Sequence, residues 1–166
     1  MTEANDRTGR GAAMDIGYVI DCQAIRDLQV AYSMAIDDGR YDELDRIFTA
    51  DVVADYGHAG QHRGVETIKA ACRTALEPLT SSQHQNGNHW AEIDGDRATA
   101  GCYFTVTQHK QGTPGGDLFR MGGRYDDELV RNETGTAADR QAGWRIAKRT
   151  LTVLWSDGNP DVRFVR

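Results

Sequence analysis

Apolar residues recur at helical spacing in the first half of the chain and at alternate positions in the second. Over residues 21–38, Ile25, Leu28, Tyr32, Ala35 and Ile36 keep the i, i+3, i+4, i+7 rhythm of one buried helical face. Asp21 suits the N-cap of that helix and Gly39 its left-handed stop. Val30, Met34 and Asp37 fall on a second, narrower apolar stripe of the same helix. The spacing then predicts a short helix over 41–48, a strand over 51–57 and a turn with a return strand at AGQHRG. Another helix is predicted over 65–77, with Val65, Ile68, Ala71, Cys72 and Leu76 on one side. Pro78 closes it.

From Ser81 onward the period becomes two, and long strands are predicted over about 83–93, 97–109, 117–131 and 143–155. The second is the clearest: Ala98, Ala100, Cys102, Phe104 and Val106 alternate with Thr99, Gly101, Tyr103, Thr105 and Thr107. Helices first and hairpin-linked strands afterwards predict an α+β fold, with the N-terminal helices packed on a strongly curved antiparallel sheet that encloses a pocket. Residues 1–14 lack apolar periodicity and are expected to form a flexible arm, 15–158 one domain, and 159–166 a C-terminal tail.

Composition narrows the functions on offer. The 166 residues, 39% hydrophobic and 27% charged, suit a single domain with a proper core. A net charge of -6 argues against nucleic acid or an anionic membrane as partner and for one that is small or uncharged. No apolar run reaches the roughly 20 residues of a membrane span, and MTEANDRTGRGAAMD lacks the features of a signal peptide, so a cytoplasmic protein is expected. Cys22, Cys72 and Cys102 are far apart and form no CxxC pair, which speaks against a disulfide framework or a cysteine-bound zinc. His58 and His62 are four apart, but GHAGQHRG cannot be a helix and supplies no third ligand, so no metal site is expected there. With no GxGxxG or P-loop pattern either, no cofactor is expected.

Several segments carry a family resemblance: AIRDLQVAYSMAIDDGRYDELDRIFTADVVADYG, HRGVETIKA, HQNGNHWAEIDGDRATA, GGRYDDELVR and GWRIAKRTL. In this order and spacing, over about residues 16–158, the chain resembles the SnoaL-like branch of the nuclear transport factor 2 superfamily. The resemblance implies a cone-shaped α+β barrel with a pocket, and assembly as a homodimer or homotrimer. The superfamily hosts dehydratases, dehydrochlorinases, polyketide cyclases, isomerases and non-catalytic binders, so the fold alone does not choose among them. Similarity to the dehydratase and dehydrochlorinase members implies a helix-borne aspartate orienting a histidine base, here Asp37 and His84. It further implies a site tyrosine at Tyr32, and Asn88 and Arg149 along the pocket. Scytalone dehydratase has a second catalytic histidine, for which His109 is the candidate.

The residues themselves leave alternatives open. Asp37 and Asp38 could equally be solvated members of a DDG helix stop. His84 lies in SSQHQNGNHW, too polar for an ordinary sheet core, where alternation puts His84, Asn86, Asn88 and Trp90 on one face. Beside an aspartate, a histidine is a natural general base, its ordinary pKa of about 6.5 lying close to working pH. Arg149 shares register with Ala147, Leu151, Val153 and Trp155, and a buried arginine needs a carboxylate or a ligand oxyanion. Tyr56, Phe104 and Trp155 are expected as aromatic wall of the pocket. The leading expectation is a cofactor-independent lyase of dehydratase type acting on an apolar cyclic, polyketide-like or steroid-like substrate. A cyclase or double-bond isomerase using the same pocket, and a non-catalytic small-molecule binder, are the alternatives.

Overall fold

In the computed structural model, which describes residues 16–131 and 143–163, the first apolar stripe becomes helix α1 (Ile16–Asp37). Ile25, Tyr32, Ala35 and Ile36 are buried as their spacing predicts, together with the polar Gln29 and Ser33. The helix begins earlier than expected, so Asp21 lies within it and does not cap it. Its carboxylate instead accepts hydrogen bonds from the Arg131 guanidinium at 2.9 and 2.8 Å and from the Trp144 indole at 3.0 Å. At the other end Gly39, at φ 69°, stops the helix. The Arg40 N–H reaches back to the Ala35 carbonyl at 2.8 Å and the Gly39 N–H to that of Ile36 at 3.4 Å, the two bonds of a Schellman stop. Asp37 is thereby the last helical residue, and Asp38 pairs outside with Arg40 at 2.9 Å.

A 3-10 turn (Tyr41–Arg46) replaces the short helix expected there, its Tyr41 and Leu44 buried. Strand β1 (Phe48–Asp55), a 3-10 turn (Gly57–Ala59), strand β2 (Gln61–Arg63) and helix α2 (Val65–Leu76) follow. The long strands are β3 (Ser81–Asp94), β4 (Arg97–His109), β5 (Leu118–Arg131) and β6 (Trp144–Gly158). With β1 and β2 they build one six-stranded sheet in the order β2-β1-β6-β5-β4-β3. β3 to β6 form the expected antiparallel meander. β1 runs parallel to β6, so the sheet is mixed, and it stays open between its edges β2 and β3.

Alternation in β4 buries Ala98, Ala100, Cys102, Phe104 and Val106 against the helices. Register shifts at Gly87/Trp90, Gly122/Gly123 and Glu128/Leu129 interrupt the ladders, and such bulges bend a strand and increase its twist. The tail segment, as far as it is described, folds back: Pro160–Arg163 forms a 3-10 turn whose Val162 is buried. The arm expected over residues 1–14 and the β5–β6 connection over 132–142 lie outside the described residues. No helix among the described residues is long and apolar enough to cross a membrane.

Candidate active site

Three residues of α1 spaced four apart, Gln29, Ser33 and Asp37, form a polar stripe along its β3 side. This stripe carries Asp37 inward. The Val30 and Met34 stripe does not, since those side chains are exposed. Each polar residue meets a partner from the polar strand. The Asn86 amide donates to Ser33 Oγ at 2.9 Å and to the Gln29 carbonyl at 3.1 Å. His89 Nδ1 pairs with Gln29 Oε1 at 2.7 Å. The composition of SSQHQNGNHW is thus explained by a polar seam between helix and strand.

At the end of the seam Asp37 holds His84 by two bonds. The backbone N–H of His84 donates to Asp37 Oδ2 at 2.6 Å, and its ring Nδ1–H donates to Oδ1 at 2.6 Å. Only 17% of the Asp37 side chain and 6% of that of His84 are exposed. Burial works against the charge of Asp37, but the hydrogen bonds and charge of His84 outweigh it and hold the carboxyl below its ordinary range. With Nδ1–H committed to a carboxylate, Nε2 carries the free lone pair.

His84 lines a cavity of about 900 Å³ between α1, α2 and the inner face of the sheet. Ile36, Ala71, Leu76, Met121 and Leu151 make much of its wall apolar. Tyr32 and Tyr56 also line it, their hydroxyls 3.4 Å apart. Burial raises the Tyr32 hydroxyl well above its ordinary pKa and pushes that of Tyr56 up to about 12. Both remain protonated at neutral pH, and whichever donates to the other, one hydroxyl hydrogen is left for a ligand. Trp155 borders the cavity too, with its ring against Gly122 at a point where no side chain would fit.

The structure does not bring Arg149, Asn88, Phe104 or His109 to this cavity. Arg149 is fully buried in a two-bond ion pair with Asp127 at 2.7 and 2.8 Å. The Tyr32 and Tyr125 rings lie 4.3 and 4.4 Å from its guanidinium carbon. The register shift between Ile146 and Lys148 switches the inward parity of the strand from Trp144 and Ile146 to Arg149 and Leu151, so Arg149 points into the core. Asn88 sits in the β3 bulge at φ 51° and points to solvent, because the bulge reverses the alternation after Gly87. Phe104 is core, stacked on Tyr125 at 4.6 Å. His109 lies at the far end of β4 by the Gly115–Gly116 turn.

Among the residues of the wall that sequence reasoning missed are His58, His62, Cys72, Gln108 and Arg163. For Gln108 the signal was available, since it continues the inward alternation of Phe104 and Val106 as a polar residue. Burial pushes the Cys72 thiol up to about 11, so it is protonated wall and not a nucleophile. Among the described residues no group of His, Cys, Asp and Glu is arranged to hold a metal ion.

A family model described as a SnoaL-like domain matches residues 18–150. The uncharacterized protein Rv2910c of Mycobacterium tuberculosis (strain ATCC 25618 / H37Rv) is 33% identical over 140 residues, covering 84% of this chain and 89% of that protein. Among solved structures, the hexachlorocyclohexane dehydrochlorinase LinA-type3 from Novosphingobium barchaimii LL02 matches with a TM-score of 0.72 at 16% identity, over 92% of this chain and 99% of that one. A nuclear transport factor 2-like superfamily protein from Salmonella enterica matches with a TM-score of 0.70 at 15% identity, over 87% and 98%. These two likenesses speak for the cone-like α+β fold.

Proposed function

The chain belongs to the SnoaL-like family, and on that premise we propose that it is a cofactor-independent lyase that removes water from a hydroxylated, largely apolar cyclic substrate. The observation that carries this reading is the doubly bonded Asp37–His84 pair opening on the cavity. His84 Nε2 takes a proton from the carbon next to a carbonyl, and the C–H electron pair becomes the new C=C bond. The β C–O bond breaks, and the departing hydroxide takes the proton back from His84 and leaves as water. Asp37 keeps the imidazole in the productive tautomer and stabilises its cation, as the aspartate of a serine-hydrolase triad does. Whichever of the Tyr32 and Tyr56 hydroxyls is not donating to the other donates to the carbonyl oxygen as it gains charge. Kinship of fold with a dehydrochlorinase supports an elimination without specifying the leaving group. Exposed Trp90 and Tyr103 on the outer sheet face support assembly as a homodimer or homotrimer.

The test is proton transfer itself, read on a panel of cyclic β-hydroxy ketones in D2O. Exchange of the α-proton by NMR and the rise of enone absorbance are expected with the unaltered protein. Both should be lost in His84→Ala and strongly reduced in Asp37→Asn. Equal rates in all three proteins would overturn the reading.

A further inference from the structure

The described cavity wall holds an arginine and no carboxylate. In a protein with 25 acidic and 19 basic residues, the described residues lining the cavity include Arg163, His58, His62 and His84 but no aspartate or glutamate. Among the described residues Arg163 forms no ion pair. Arg163 is itself exposed, but the turn that carries it is held from below: the Asn159 amide donates to the Pro114 and Gly116 carbonyls at 2.9 and 2.7 Å, and Val162 is buried beside it. Its guanidinium carbon lies 5.2 Å from the Phe119 ring centre.

The cross-strand neighbour of Phe119 in the β4–β5 ladder is Gln108. Gln108 is 5% exposed, lines the same cavity, and its Oε1 is buried with no hydrogen-bond partner. A buried acceptor left unpaired costs free energy, and natural cores leave few of them. An apolar residue of similar shape would avoid that cost. The side chain is best accounted for by an O–H or N–H group supplied from the cavity.

We propose that the ligand is an amphipathic acid: an apolar ring system with an anionic group held by Arg163 and a hydroxyl donated to Gln108 Oε1, spanning Phe119. This deepens the lyase reading and rests on the same cavity being the substrate site. It adds that the substrate bears a charge, and it assigns both residues to selection, with no part in the proton transfer. A carboxylate matches the guanidinium fork and orients the ring so that another part of it faces His84.

The test is equilibrium binding of three fluorescent probes: 6-hydroxy-2-naphthoate, its methyl ester and 2-naphthoate. The unaltered protein is expected to bind the hydroxy acid roughly tenfold more tightly than the ester at low salt, and severalfold more tightly than 2-naphthoate. Arg163→Ala should abolish the acid-over-ester preference while Arg163→Lys keeps part of it. Gln108→Leu should abolish the preference for the hydroxyl. Its melting temperature should be equal or higher, because an unpaired buried polar group has been removed. A merely structural glutamine would lower the melting temperature and leave the probe ratios unchanged, which would overturn its assignment. Equal binding of acid and ester by the unaltered protein, or no binding of either, would overturn the proposal. Neither result touches the lyase reading, which depends on α-proton exchange at His84 and fails separately if that exchange is absent.

Discussion

Two carboxylates, each paired with a basic side chain, lie within the same fold, and the pairs differ in what each leaves unfinished. Asp127 and Arg149 are both wholly removed from solvent, joined by two bonds and walled by aromatic rings. Burial opposes the charge of Arg149, but Asp127 outweighs it and raises the guanidinium above its ordinary range. That cation has no reason to exchange its proton or its partner. Asp37 and His84 are also largely buried, yet only one ring nitrogen is tied down, and the histidine borders the cavity. A general base needs a group that can gain and lose a proton beside an open volume. The first pair is therefore read as structural and the second as the candidate for chemistry.

The comparison breaks most visibly in activity. His84→Ala should lower α-proton exchange by about 10²–10⁴-fold, the usual contribution of a positioned base, while thermal melting of the variant stays near that of the unaltered protein. Arg149→Met should do the reverse. It strands the buried Asp127 carboxylate, and breaking such a pair typically costs about 3–5 kcal/mol of stability, readable as a fall in the urea midpoint. Replacing both partners by apolar residues, Arg149→Met with Asp127→Leu, should recover much of that loss. If Arg149→Met instead retained full stability and lost only activity, the division between the two pairs would be wrong.

How legible each pair was in the sequence follows from its geometry. The strand β4 spans the residues its alternation marks, 97–109, because every second residue meets the same apolar core. Alternation misled where a bulge inserts a residue at Gly87/Trp90, which turns Asn88 outward; Arg149 sits on the inward face it shares with Leu151, as its register marked, but within the core and not on the cavity. The partner of Arg149 was nevertheless visible, since Asp127 alternates in phase with Tyr125 and Leu129 on a buried face. Asp37 and His84 were singled out by family resemblance, while the apolar stripe used to turn Asp37 inward is exposed. The working stripe, Gln29–Ser33–Asp37, is polar and so is invisible to a reading based on hydrophobic period.

The smallest expected effect sharpens the contrast along α1 itself, which carries a clasping carboxylate near each end. Asp21 is held below its ordinary pKa by hydrogen bonds from Arg131 first, with burial opposing and the Trp144 indole assisting. Its bonds join the start of the helix to the end of β5 and the start of β6, and it does not line the cavity. Asp21→Asn should therefore cost about 1.5 kcal/mol at pH 7, within the range of hydrogen bonds to charged groups, and leave exchange activity unchanged. The sign of its pH dependence follows from the depressed pKa. The stabilisation is fully present above the unfolded carboxylate value of about 3.9 and is lost as pH falls through the lower value of the folded state. The difference in urea midpoint between the unaltered protein and Asp21→Asn should hold from neutral pH to about pH 5 and shrink below about pH 4. A difference that stayed constant into acid would mean that Asp21 acts through its shape and not its charge. The distinction between a clasp that only holds the helix and one that also presents a base would then need another cause.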